Sequence, residues 1–366
     1  MRWILIKKEK RNVIISVLIL SLIGLLMVYS SSYVWSEYKF GNKYHFLIYQ
    51  SIFLLLSIIA CYYISKVDLN KIKKNINLYL LLGIILLVLV IVPGIGTIRN
   101  GSRSWFTLGP ISFQPSEYIK LVLIIFASKY LEKYHTKINK IKDFLLPLIL
   151  IIFFIIGLIM LEPDFGSSMI IVLTIILLLM SAGLSFKFFG YIGALGSLLI
   201  IFIIMVAPYR MMRIVSFLNP WKDPLGSGYQ IIQSLYAIGP GGLFGHGLFN
   251  SRQKYFYLPE PQTDFIFSIY CEELGFIGTL FLICTFLFLF YNIYKISVSE
   301  KDLFKRFLSF GILSSLIIQT SMNLSVVVGL IPVTGVTLPF LSYGGSSLLM
   351  TYIYIGILLN IITNTK

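Results

Sequence analysis

The chain is a succession of long apolar runs separated by short polar connections. Runs near 12–31, 45–65, 76–94, 116–131, 144–161, 166–184, 187–207, 264–293, 306–331 and 344–363 recur along its length. Each is about the ~20 residues that a helix needs to cross a ~30 Å hydrocarbon core. The pattern predicts an all-α polytopic membrane protein of about ten spans, a single integral membrane domain over 1–366. A barrel would instead show shorter segments of alternating polarity.

Two stretches depart from this pattern. The connection 208–263, between spans seven and eight, is by far the longest. It is rich in aromatics and glycine, unlike a disordered linker, and connections of that length are usually functional. Within it, GYQIIQSLYAIGPGGLFGHGL predicts a short amphipathic helix followed by re-entrant turns at the membrane surface. Between spans nine and ten, VTGVTLPFLSYGGSSLL interrupts the apolar pattern. Irregular backbone is tolerated at that depth only where it lines a cavity or is buried in protein.

Composition agrees: 57% of the 366 residues are hydrophobic and 12% charged, which excludes an ordinary soluble domain. A net charge of +15 could point to nucleic acid, but the basic residues sit in short connections, where they set topology. Clusters at Arg2–Arg11, Lys66–Lys74, Lys129–Lys142 and Lys295–Arg306 all fall on one side of a ten-span chain. The positive-inside rule then places both termini in the cytoplasm and the loops 94–115 and 208–263 outside. The basic start and apolar run resemble a signal peptide, but the run's length predicts an uncleaved first helix. Cys61, Cys271 and Cys284 lie in apolar runs and read as small buried hydrophobes. His45, His135 and His246 are scattered and make no metal set, and no P-loop or nucleophile-elbow motif appears.

Ionisable residues in or beside the spans are the candidate chemistry. Asp264 opens the apolar run FIFSIY after YFYLPEPQT, so locally it reads as a helix N-cap or as a catalytic carboxylate. Glu272 and Glu273 follow in the same run and point to different helix faces, so one of them needs a partner. Glu117 and Lys120 lie three apart on one helix face behind Pro115. They form either a self-neutralising pair or a polar pocket facing Asp264. Glu162 and Asp164 flank a proline in LEPDFGSS and are candidate ligands for a divalent cation, with capping of span six by Asp164 as the alternative. Arg210, Arg213, Lys222, Arg252 and Lys254 in the outer loop could clamp a diphosphate or reach toward lipid headgroups.

Five blocks carry a resemblance across nearly the whole chain: WFTLGPISFQPSEYIKL, EPDFGSS, FLNPWKDPLGSGYQIIQSLYAIGPGGLFGHGL, LPEPQTDFIFS and PVTGVTLPFLSYGGSS. Their order and content resemble the SEDS family (shape, elongation, division and sporulation). LPEPQTDFIFS and YRMMRIVSFLNPWKDPLGSGYQ look closer to the division and sporulation branch (FtsW and SpoVE) than to the elongation branch (RodA). The resemblance implies a bacterial inner-membrane peptidoglycan glycosyltransferase that polymerises lipid II with a class B penicillin-binding protein as partner. It also implies that Asp264 is the essential aspartate, that Glu117 and Lys120 are the cavity pair, and that Trp105 is the block's tryptophan. Arg103, Arg210, Arg213, Arg252, Lys254, Glu273 and Ser342 complete the expected substrate cavity.

On that reading the step inverts an α-linked lipid-diphosphate sugar to a β-1,4 linkage, with Asp264 as general base. A divalent cation, Mg or Mn, is the one cofactor considered. The rival is a lipid II flippase, which should place its critical polar residues near the midplane with access from both sides. A structural scaffold for division partners is the third reading, and it leaves the carboxylates unexplained.

Overall fold

The computed structural model describes residues 2–99, 101–109, 111–135, 146–185, 190, 193 and 217–363. Its helices are α1 (Arg2–Phe40), α2 (His45–Ile64), α3 (Leu69–Lys74), α4 (Ile76–Ile91), α5 (Pro115–Tyr134), α6 (Leu146–Leu161) and α7 (Phe165–Ser181). After these come α8 (Tyr229–Ile238), α9 (Ile266–Ser299), α10 (Leu303–Val327) and α11 (Gly345–Thr363). Nine of the expected spans coincide with these helices; the seventh, 187–207, falls almost wholly outside the described residues. α1, α2, α9, α10 and α11 are long and apolar enough to cross a membrane, whereas α4, α6 and α7 are shorter apolar helices. α4 stops where Pro93 removes a donor, and α7 stops at Gly183, whose φ of 89° suits glycine.

The fold is not purely helical. The connection after α4 forms a three-stranded antiparallel meander: β1 (Thr97–Arg99), β2 (Ser102–Leu108) and β3 (Ile111–Phe113). Thr97 pairs with Trp105, and Phe106 with Phe113. The helical expectation missed these strands because two of them are three residues long, too short to display a period.

The two ends of the bundle differ. At one, Lys10 Nζ donates to Thr363 Oγ1 at 2.9 Å, and Asn360 Nδ2 donates to the carbonyls of Ile64 and Val67. Lys73 and Glu132 pair there as well, at 2.5 Å. The start of α1, the end of α11, the connection at 64–74 and the end of α5 therefore share one end. The opposite end carries the sheet, the end of α1, the outer loop and the segment between α10 and α11. A continuous apolar core from α1 to α11 joins the two. Cys61 and Cys271 are buried as expected, but Cys284 is exposed on α9 among Leu280, Phe281 and Leu287, on an apolar outward face.

Candidate active site

Asp264 sits at the sheet end of the bundle, half-buried, just before α9. It does not cap that helix. Phe265 occupies the N-cap position and makes no side-chain cap, while Asp264 Oδ1 lies 2.8 Å from Thr263 Oγ1. The local reason is a tight turn upstream. Glu260 adopts φ 44°, uncommon for a residue with a Cβ, and its carbonyl accepts from Thr263 N at 3.1 Å. The turn ties off Thr263 and aims the Asp264 carboxyl away from the helix start. Burial pushes that carboxyl above its ordinary pKa; the Thr263 hydrogen bond pulls it back, and the charge of Glu260 pushes it up again.

The main chain of Asp264 is held from two sides. Asn323 Nδ2 on α10 donates to the Asp264 carbonyl at 2.7 Å and to the Val336 carbonyl at 2.8 Å. Tyr343 N donates to the carbonyl of Gln262 at 2.8 Å. Both outside contacts lead to the segment 328–344, the interrupted stretch of the sequence pattern. Leu338, Phe340, Leu341 and Ser342 there are buried in protein, which is what irregular backbone at this depth requires. Ser342 Oγ accepts from Leu338 N at 2.8 Å and its carbonyl accepts from Gln50 Nε2, so its contacts are to this turn and to α2.

Glu117 and Lys120 meet at 2.8 Å near the start of α5, both buried. Lys120 Nζ also lies 3.2 Å from Gln319 Oε1, and Gln319 Nε2 reaches the Thr337 carbonyl at 3.1 Å. The pair is thus self-neutralised and wired through α10 to the same segment that supports Asp264. Arg103 and Trp105 stand on β2, partly exposed. Arg103 Nη1 donates to the Ile91 carbonyl at 3.3 Å, and the Arg99 guanidinium stacks 5.4 Å from the Trp105 ring centre.

Glu272 and Glu273 are both buried, and both have partners. Glu272 accepts from Ser251 Oγ at 2.5 Å and Arg252 N at 2.7 Å. Glu273 accepts from Ser30 Oγ of α1 at 2.7 Å and from Lys254 Nζ at 2.9 Å. The sequence pattern asked for a partner for one of the two carboxylates; the outer loop folds over both and supplies partners to each. Span eight is not continuous either. Gly275, with φ 63° and ψ −162°, breaks α9, and the loop enters the gap. His246 N and Gly247 N donate to the Glu272 and Glu273 carbonyls, while Phe276 N and Ile277 N donate to those of Gly242 and Leu243. The glycines of GPGGLFGHG allow this approach; a Cβ on Gly245 would lie 2.2 Å from the Glu273 carbonyl oxygen.

The outer-loop cations therefore separate. Lys254 is sealed beneath the loop with 0% side-chain exposure and serves Glu273, so it is not a free clamp for a diphosphate. Arg252 and Lys222 are exposed. Arg210 and Arg213 lie outside the described residues. The short amphipathic helix expected within GYQIIQSLYAIGPGGLFGHGL is present as α8, burying Ile231, Ile232 and Ala237.

The turn between α6 and α7 does not fit a cation. Asp164 caps α7 by accepting from Ser167 N at 3.0 Å, and its other oxygen accepts from Gln114 Nε2 and Ser116 Oγ, each at 2.9 Å. Glu162 is wholly buried, and neither carboxyl oxygen has a hydrogen-bond partner. Burial, reinforced by the charge of Asp164, pushes its pKa up to about 9, so it is neutral near pH 7. With both Asp164 oxygens engaged, Glu162 alone is left to ligate, and a single carboxyl makes a poor cation site. Among the described residues no cluster of three or more metal-binding side chains occurs.

Comparison with known proteins places this geometry in context. Residues 10–366 match the family described as cell cycle protein, named for FtsW, RodA and SpoVE. Stage V sporulation protein E of Bacillus subtilis is 48% identical over 349 residues, 95% of each chain. A probable peptidoglycan glycosyltransferase FtsW of Coxiella burnetii is 43% identical over 358 residues, covering 97% of this chain and 96% of its own. Among solved structures, a chain of a peptidoglycan synthase complex superposes with a TM-score of 0.81 at 29% identity, covering 96% of this chain and 97% of its own. The rod shape determining protein RodA of Thermus thermophilus superposes with a TM-score of 0.70 at 25% identity, covering 97% and 96%. The sporulation and division relatives thus stand above the RodA structure in identity, the order that the LPEPQTDFIFS block implied. A family match over all but the first nine residues, with relatives above 40% identity end to end, shows that the chain belongs to the FtsW, RodA and SpoVE family of cell cycle proteins.

Proposed function

We propose that the chain is a peptidoglycan glycosyltransferase that polymerises lipid II at the outer face of a bacterial cytoplasmic membrane. The observation that carries the reading is Asp264. It is a half-buried carboxylate released from capping, with its pKa raised, at the end of the bundle opposite the basic connections. A raised pKa makes the ionised carboxylate a stronger base.

In the proposed step Asp264 takes the proton from the acceptor 4-hydroxyl, within about 3 Å. The hydroxyl oxygen attacks the anomeric carbon of the lipid-linked glycan from the face opposite its diphosphate. The bond from carbon to diphosphate oxygen breaks, and the diphosphate leaves with the electron pair. One displacement inverts the centre, so no second carboxylate has to act as nucleophile. Arg252, with Arg210 and Arg213 of the same loop, would stabilise the departing charge, and Arg103 and Trp105 would flank the site. Glu117, Lys120, Glu273 and Ser342 belong to the supporting framework in this scheme. A Mg or Mn ion, where required, would travel with the substrate's diphosphate; Glu162 and Asp164 are unsuited to hold one.

The basic connections gathered at one end support cytoplasmic termini by the positive-inside rule. A solved relative belongs to a peptidoglycan synthase complex that coordinates polymerization with crosslinking, which supports a crosslinking partner, in our reading a class B penicillin-binding protein. A flippase would need polar groups exposed near the midplane to both sides. Here Glu117, Lys120, Glu272 and Glu273 are buried in closed hydrogen-bonded sets, which disfavours that reading. The test incubates the purified chain with lipid II and divalent cation, with and without a cognate class B penicillin-binding protein. Glycan strands on a gel, lost in Asp264→Ala, are expected; strands from a folded Asp264→Ala variant would overturn the base assignment.

A further inference from the structure

Asn323 presents an imbalance that packing does not explain. It is buried in α10, 1% exposed, and both of its described bonds run from Nδ2 to main-chain carbonyls, those of Asp264 and Val336. Because both acceptors are carbonyls, the amide can face them only with its nitrogen. Its Oδ1 is left buried without a partner. A buried acceptor left unsatisfied costs about 1–3 kcal/mol, a cost the fold bears while keeping both carbonyls bonded. Departures of this kind from the packing rules concentrate at functional sites.

We infer that Asn323 is a positioning residue for Asp264. It clamps the peptide that follows the carboxylate and fixes the direction in which that carboxylate points. The inference rests on Asp264 acting as base. Position is the variable that matters, since among the described residues no side chain on a packed helix bonds the Asp264 carboxyl; its side-chain partner is the adjacent Thr263. Freed at its carbonyl, the Asp264 peptide is located by the α9 start, the Glu260–Thr263 turn and the bond from Tyr343 N to the Gln262 carbonyl, none of which grips the peptide that follows the carboxylate. One turn earlier on α10, Gln319 makes the equivalent link from Thr337 to Lys120, so one helix face holds both carboxylate sites to a single segment.

The clamp makes a prediction that a purely structural asparagine does not. Misplacing a catalytic group by about 1 Å can cost up to a hundredfold in rate. Asn323→Leu keeps the volume and removes the donors; its turnover at saturating lipid II should fall between about tenfold and a hundredfold. KM should stay within about twofold, because ground-state binding is untouched. Full-length protein in nanodiscs, assayed beside wild type and Asp264→Ala, measures both, and thermal melting confirms folding. If Asn323→Leu melts early, Asn323→Ser, which keeps one donor, is measured for the same split. Turnover within about twofold of wild type in a folded variant, or a loss confined to KM, overturns the inference. Activity remaining in Asp264→Ala would instead overturn the underlying assignment of the base.

Discussion

Lys254 Nζ lies 2.9 Å from Glu273 Oε1, and both side chains are fully withdrawn from solvent. The pair joins the outer loop to α9, and Ser30 brings in α1. Removing one partner strands a charge, which costs about 3–5 kcal/mol in comparable buried pairs. Lys254→Met should therefore lower the melting temperature sharply in detergent. Lys254→Met with Glu273→Gln should recover most of the loss, since the amide can still accept from Ser30. Equal melting of the single and double variants would show that the ion pair carries no stability.

On the proposed mechanism the acid side of the rate profile reports Asp264. Its pKa is raised by burial, and a base must be ionised, so turnover should fall as pH drops through that raised value, about tenfold per unit below it. Thr263→Val removes a donor that favours the ionised form while the main-chain bond from residue 263 to Glu260 keeps the turn. Its acid limb should move to higher pH; an unmoved limb would assign the titration to another group.

Gly275 admits no side chain. A Cβ there would lie 2.3 Å from Gly245 N and 2.7 Å from the carbonyl of Leu243, on backbone already at φ 63°. Gly275→Ala should yield little folded protein by size exclusion in detergent, whereas Gly157→Ala, in open space, should behave as wild type. Normal recovery of the first variant would contradict the insertion of the loop into α9.

Glu162 carries a pH dependence of stability. Its pKa is about 9 in the fold against 4.5 ordinarily, so between those values the folded chain holds a proton that the unfolded chain has released. Stability from this group falls as pH rises through that window. Glu162→Gln should melt higher than wild type at pH 8, on the order of 2–4 °C for each kcal/mol recovered. The gap should close toward pH 5; a constant gap would refer the effect to packing.

Spans, the amphipathic α8 and the buried break between α10 and α11 were legible because each is written in local periodicity. The Asp164 cap was legible too, from a carboxylate placed before an apolar run. The same rule misread Asp264, because the turn at Glu260 and the hydroxyl of Thr263 claim its neighbourhood first. Three-residue strands leave no period to read, so the meander was hidden. The partners of Glu272 and Glu273 come from residues up to 243 positions away, and only the closed fold brings Ser30 to Glu273. A single glycine within a long apolar run gave no local sign that Gly275 divides α9.

That division has a kinetic consequence. Four main-chain bonds stitch the loop into the gap in α9. Each would cost about 1–3 kcal/mol to leave unmade in dry surroundings, so lifting the loop is a rare event. The segment inserted at Gly275 is then fixed on the timescale of turnover and cannot serve as a door. On the proposed mechanism, the lipid-linked substrates would then reach Asp264 by another path, between the helices from the side where their anchors lie.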